Sequence, residues 1–166
     1  ALHDLAEAER ATLVVVGSTH TGRVGRVLPG NTGERLLHGA PCSVAVVPKG
    51  YREHADEPLR RIGVAYNGTD ESRAAAHSAA ALARAFDAEL EVIGVIAPES
   101  YGAPALMGGP SVVILREDIE HHVQESLDAM VAELGDGLTV RSVRLTGPPS
   151  EMLVTRSRQL DLLVTG

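Results

Sequence analysis

Gly17-Ser18-Thr19-His20-Thr21-Gly22-Arg23-Val24-Gly25-Arg26-Val27-Leu28-Pro29-Gly30-Asn31-Thr32 follows the apolar run Leu13-Val14-Val15-Val16 and precedes a short helical pattern over 34–38. A buried strand, a glycine-punctuated loop and a helix start are the parts of a phosphate cradle. Glycine lets the backbone approach an anion, and the unpaired N–H groups of a helix start bind it. Arg23 and Arg26 add positive charge in a chain whose formal net charge is -7. The stretch therefore reads as a candidate nucleotide site on an α/β scaffold.

The flanking residues carry the same alternation of strand and helix. Leu2, Leu5 and Ala8 are spaced as the last turns of a helix, and residues 12–16 form an apolar run short enough for a strand buried on both faces. Asn31 with Glu34 makes a capping-box pattern, and Gly39-Ala40-Pro41 ends the helix that it opens. Val44-Ala45-Val46-Val47 is a further strand, stopped by Pro48, and the polar stretch after it, with Gly50 and Pro58, is a linker. Beyond it, strands are expected over 62–66, 90–96, 138–145 and 160–165. Helices are expected over 72–86 and 149–158, and a long one has Val112, Leu115, Ile119, Val123, Leu127, Met130 and Leu134 on one face. Residues 98–110 hold three prolines and three glycines and read as a loop. Such alternation predicts right-handed crossovers and a Rossmann-like parallel sheet flanked by helices.

Leu13-Val14-Val15-Val16-Gly17 matches Leu162-Leu163-Val164-Thr165-Gly166 at an offset of 149 residues, one domain length. Residues 1–48 then read as the closing part of one unit, 49–59 as a linker and 60–166 as the opening part of a second, as in a piece of a tandem-domain protein. The alternative is a single permuted α/β unit in which strand 62–66 takes the place of a missing strand.

Composition narrows the function classes. Hydrophobic residues make up 44% and charged residues 22% of the 166 residues, the balance of a globular protein. Tyr51, Tyr66, Phe86 and Tyr101 are the only aromatics, too few for base-stacking platforms, and an acidic chain lacks the basic face that duplex binding needs. No nucleic-acid partner is expected. Cys42 is the lone cysteine, which rules out an intrachain disulfide and a cysteine zinc cage. No apolar run approaches ~18 residues, so no membrane span is expected, and a cytoplasmic protein is the default.

Several constellations have simpler explanations than chemistry. His121 and His122 point about 100° apart on a helix and have no completing ligand at the next turn, so they read as a solvated face and no metal site is expected. Ser18, His20 and Asp4 have nothing to orient them as a triad. Cys42 reads as a small buried hydrophobe, and the apolar face of the long helix as core. The Walker pattern is missing, because no Gly-Lys-Ser/Thr follows, and the dinucleotide fingerprint lacks its acidic residue.

The residues resemble the universal stress protein family. Its nucleotide-binding members carry a glycine, two residues, a second glycine, nine residues, then glycine and Ser/Thr. Gly17 and Gly30 stand at the first and third glycine positions, His20 where the second is expected, and Asn31 in place of the Ser/Thr. Residues 32–38, the Ala40-Pro41-Cys42 turn and the valine-rich strand after it resemble the family's closing segment. Asn67-Gly68-Thr69 resembles the Asp-Gly-Ser that follows its first strand. The resemblance covers nearly the whole chain and implies the family's fold, of the adenine nucleotide alpha hydrolase-like type.

It also implies a regulatory stress-response protein that binds adenine nucleotide, ATP with or without Mg²⁺, at the carboxyl ends of the strands. Gly17, Ser18, His20, Gly30, Asn31 and Thr32 would line the phosphates, Arg23 and Arg26 would balance their charge, and Asn67 and Gly68 would approach the ribose or adenine. Neither a general base nor a nucleophile stands out, so fast turnover is not expected. The resemblance further implies a homo-oligomer or a tandem pseudo-dimer, paired antiparallel through strand 44–47. Two alternatives stay open: a dimerising interaction module without nucleotide, consistent with His20 and Asn31, and a slow ATPase.

Overall fold

The computed structural model describes residues 2–18, 36, 39–48, 50–54, 56–98 and 110–166. The chain divides into two compact units, Ala1–Glu57 and Pro58–Gly166.

In the first unit, helix α1 (Leu2–Ala8) leads into strand β1 (Leu13–Gly17), which pairs in parallel with β2 (Ser43–Val47). The register sets Leu13 beside Ser43 and Val15 beside Ala45. The N–H groups of Gly39 and Ala40 reach the Leu36 carbonyl at 3.2 and 2.8 Å, the closure of a last helical turn before β2. The expectation that β1 is buried on both faces is corrected. Leu13 is 51% and Val15 59% exposed: parallel neighbours in register share a face, and among the described residues of this unit nothing covers that one. Cys42 is only half-buried. Strand 44–47 falls within β2, whose observed partner is β1. The linker carries a 3-10 turn, Tyr51–His54.

The second unit is a four-stranded parallel sheet in the order β5-β4-β3-β6: β3 (Arg61–Ala65), β4 (Glu89–Ile96), β5 (Val140–Thr146) and β6 (Leu162–Val164). β6, the counterpart of β1 in the repeat, is hydrogen-bonded to β3 in this unit. Helices α2 (Asp70–Phe86), α3 (Pro110–Leu134) and α4 (Pro149–Ser157) make the crossovers.

Helix α2 follows from its residues. Thr69 caps it, Asp70 and Glu71 complement the positive end of its dipole, and Ser72, Ala75, Ala76, Ala79, Ala80 and Ala83 recur on one buried face. Alanine lets the helix lie close on the strands. Asp87 ends it in a left-handed conformation (φ 51°), and the Ala88 N–H closes on the Ala83 carbonyl at 2.9 Å. The core beneath it consists of Ile62, Val64, Leu90 and Val92 with Leu127, Met130 and Leu134 of α3.

Strand β5 has a looser hydrophobic alternation because its α3 side is polar. Ser142 donates to Asp128 Oδ1 (2.9 Å), Gln124 donates to the same oxygen (2.9 Å), and Arg144 reaches the Glu120 carbonyl (3.0 Å). On the opposite face of the sheet, α4 and Leu160 pack against Gly63, Glu91 and Ile93. The expected parallel sheet with helices on both faces is therefore found in this unit. His121 and His122 are exposed, as expected. No helix among the described residues is long and apolar enough to cross a membrane.

Candidate functional site

The carboxyl ends of the strands of the second unit form one edge. There Asn67, Gly68 and Thr69 turn the chain from β3 into α2. Asn67 Oδ1 accepts from the Thr69 N–H (3.1 Å) and from its hydroxyl (2.9 Å). Thr69 Oγ1 in turn accepts from the Ser72 N–H (3.3 Å), and the Ser72 hydroxyl donates to the Thr69 carbonyl (2.9 Å). The Asn67 N–H points to Ser72 Oγ at 3.4 Å. Each polar group of the turn thus fixes the next, which holds the loop in one shape. Gly68 sits at φ +85°, a conformation that a β-carbon strains.

The chain just beyond β6 meets the first turns of α2. A Cβ on Gly166 would collide with the Glu71 carbonyl, so the chain leaving β6 runs directly against the start of α2. Beside it, the Gly147 N–H donates to the Ile96 carbonyl at 3.0 Å, binding the ends of β4 and β5. Because Asn67 Oδ1 is engaged, its amide Nδ2 is the group left to meet a ligand; no hydrogen bond among the described residues uses it. An asparagine so placed is a donor, suited to an acceptor atom. Asp70 and Glu71 make the first turn of α2 acidic, which disfavours a phosphate there.

In the first unit, Gly17 is the last residue of β1, and the Ser18 N–H continues the pairing by donating to the Val47 carbonyl at 2.8 Å. Among the described residues, nothing lies within 4 Å of where a Gly17 Cβ would be. Gly17 and Ser18 therefore belong to one unit, and Asn67 and Gly68 to the other. His20, Arg23, Arg26, Gly30, Asn31 and Thr32 lie outside the described residues.

Motif spacing did not pick out Gly147 or Gly166. The offset repeat was the available signal for Gly166, since it aligns that residue with Gly17. For Gly147 no comparable signal exists.

A cavity of about 180 Å³ lies at the opposite, amino edge, lined by Ala83, Arg84, Asp87, Gly137, Leu138 and Thr139. It is smaller than the ~300 Å³ at which ligand pockets begin, and Arg84 there is occupied in capping α3 through the Leu134 carbonyl (2.9 Å). We place no function on it. Among the described residues, no group of three His, Cys, Asp or Glu is arranged to hold a metal ion.

A parallel sheet with helices on both faces defines the α/β class of folds. Within that class the chain belongs to the universal stress protein family, whose model matches residues 1–48 and 58–166. A universal stress protein of Mycobacterium bovis is 42% identical over 71 residues, which are 43% of this chain and 24% of that protein. The matched stretch thus spans about a quarter of the curated relative's length. Among solved structures, a universal stress protein of Pseudomonas aeruginosa superposes with a TM-score of 0.63 at 20% identity, covering 97% of this chain and 53% of that one. One from Lactobacillus plantarum superposes at 0.57 with 21% identity, covering 67% and 79%. These likenesses establish the same fold.

Proposed function

We propose that this chain binds adenine nucleotide, ATP with Mg²⁺, at the carboxyl edge of its parallel strands, and that it acts as a ligand-responsive regulator. The observation that carries this is the preformed turn at Asn67, Gly68 and Thr69, which opens α2, with Gly166 just beyond β6 packed against Glu71 in the first turn of that helix. It is a rigid, glycine-lined cradle with an outward donor, at the edge where such sheets hold ligands. Further support comes from the spacing of Gly17 and Gly30 and from the charges of Arg23 and Arg26, which match what phosphates require. The acidic start of α2 suits Asn67 to a ribose or adenine rather than to a phosphate.

Beside the carboxylates of Asp70 and Glu71, the polar groups of the Asn67–Thr69 turn are amide, hydroxyl and main-chain groups. They bind and orient, which suits regulation better than turnover. Calorimetry of the purified protein with ATP and Mg²⁺ tests this: saturable heat supports it, and the absence of both heat and co-purified nucleotide overturns it.

A second reading is an interaction module without nucleotide, joined as a homo-oligomer or pseudo-dimer through β2. It is favoured by the exposed apolar face of the first unit, Leu13 and Val15. His20→Gly then creates ATP binding where the wild type has none; if the site already works, the substitution changes little.

A further inference from the structure

Helix α4 is attached unlike the other helices of its unit. It has no buried side chain, whereas α2 has six and α3 contributes Leu127, Met130 and Leu134. Its ends are nevertheless fixed. Before it, Gly147 is held to the Ile96 carbonyl. After it, Asp161 Oδ2 accepts from the N–H groups of both Arg60 and Arg61 at 2.9 Å, and the Asp161 N–H returns a bond to the Arg61 carbonyl at 2.9 Å.

Between these points the directional tie to the sheet is ionic. Glu91, on the central strand β4, is only 1% exposed. Arg156, in the last turn of α4, grips it with two bonds, Nε to Oε2 at 2.8 Å and Nη2 to Oε1 at 2.7 Å, the bidentate fork that guanidinium and carboxylate favour. Arg141 of β5 donates to the same carboxylate from the sheet itself.

That second arginine decides the behaviour. A buried carboxylate that loses its only partner is costly, but Glu91 keeps Arg141 when Arg156 lets go. Elements with little apolar burial open at lower free energy than the core. We infer that α4 is a strap: it opens as a unit between the fixed points at Gly147 and Asp161 when the Glu91–Arg156 latch parts, while the sheet, α2 and α3 stay folded. Arg141 lowers the cost of opening by holding Glu91 in the open state.

Hydrogen exchange of the full chain, read by mass spectrometry, tests this without any ligand. In the wild type, amides over 150–158 exchange at least about tenfold faster than those over 75–83. Arg156→Gln accelerates 150–158 about tenfold again and leaves 75–83 within about twofold. Arg141→Gln slows 150–158 relative to the wild type, an effect that a merely structural ion pair would not have. Equal protection of the two helices in the wild type overturns the strap. So does joint acceleration of both by Arg156→Gln, or acceleration of α4 by Arg141→Gln.

Discussion

Gly166 lies against the main-chain carbonyl of Glu71, with no room for a β-carbon between them. The end of β6 and the start of α2 are thereby in contact, and the turn after β3 shares its edge with the strand that the repeat aligns to β1. The glycine that closes each copy of the repeated strand has a physical reason in the second unit: only a bare backbone passes that close to the start of the helix.

Gly68→Ala places a β-carbon at φ +85°. Left-handed geometry costs a non-glycine residue roughly 1–2 kcal/mol, so the urea midpoint falls accordingly at unchanged slope. A midpoint equal to that of the wild type would show that the turn relaxes freely and is no cradle.

Thr69→Ala removes the acceptor of the Ser72 N–H and the hydroxyl that holds Asn67 Oδ1. Loss of such a cap costs about 1 kcal/mol, visible as a lower Tm. It also leaves Asn67 Oδ1 held only by the main-chain N–H at position 69, so the side chain is less firmly oriented and ATP affinity falls as well. Weakened stability with undiminished affinity would remove Asn67 from the site.

Asp161→Ala leaves the N–H groups of Arg60 and Arg61 without their shared acceptor. About 1–3 kcal/mol is expected, measured by chemical denaturation, and Asp161→Asn, which keeps an acceptor oxygen, costs less. Equal losses in the two variants would place the effect in charge rather than in the hydrogen bonds.

Glu91 gives the fold an acid-sensitive term. Burial pushes its carboxyl up, but the hydrogen bonds and charges of Arg141 and Arg156 outweigh this and hold it below its usual value near 4.5. A carboxylate depressed on folding contributes its full stability above the unfolded value and loses it as pH falls through the lower folded one. Glu91→Gln is therefore less stable at neutral pH, by on the order of 2 kcal/mol with the arginines partly solvated. The gap to the wild type narrows steadily below about pH 4.5. A gap that stays constant from pH 7 to pH 3 would contradict the charge-based account.

The sequence shows the second unit's architecture most plainly where apolar spacing is regular. The alanines of α2, and Leu127, Met130 and Leu134 of α3, are core residues both by period and by burial. β5 was harder to read because Ser142 and Arg144 face α3 through hydrogen bonds, and polar partners leave no hydrophobic signature. Burial of β1 was misjudged for a related reason. A run of valines states what a strand would bury, while its exposure depends on which neighbours stand beside it. Glu91 gave no signal at all: a carboxylate within an apolar strand is interpretable only once Arg141 and Arg156, 50 and 65 residues away, are seen to meet it. At the candidate site, Asn67 and Gly68 were expected from the family resemblance alone, whereas the tie of Gly147 to Ile96 needed the strand ends to be brought together.

The most direct measurement is a titration of the isotopically labelled full chain with ATP and Mg²⁺, followed by amide NMR shifts. Saturable shifts concentrated at Asn67, Gly68, Thr69 and Gly166 are the predicted result. An unchanged spectrum, or shifts centred on Arg84, Gly137 and Thr139 at the opposite edge, would contradict a nucleotide site at the carboxyl ends of the strands.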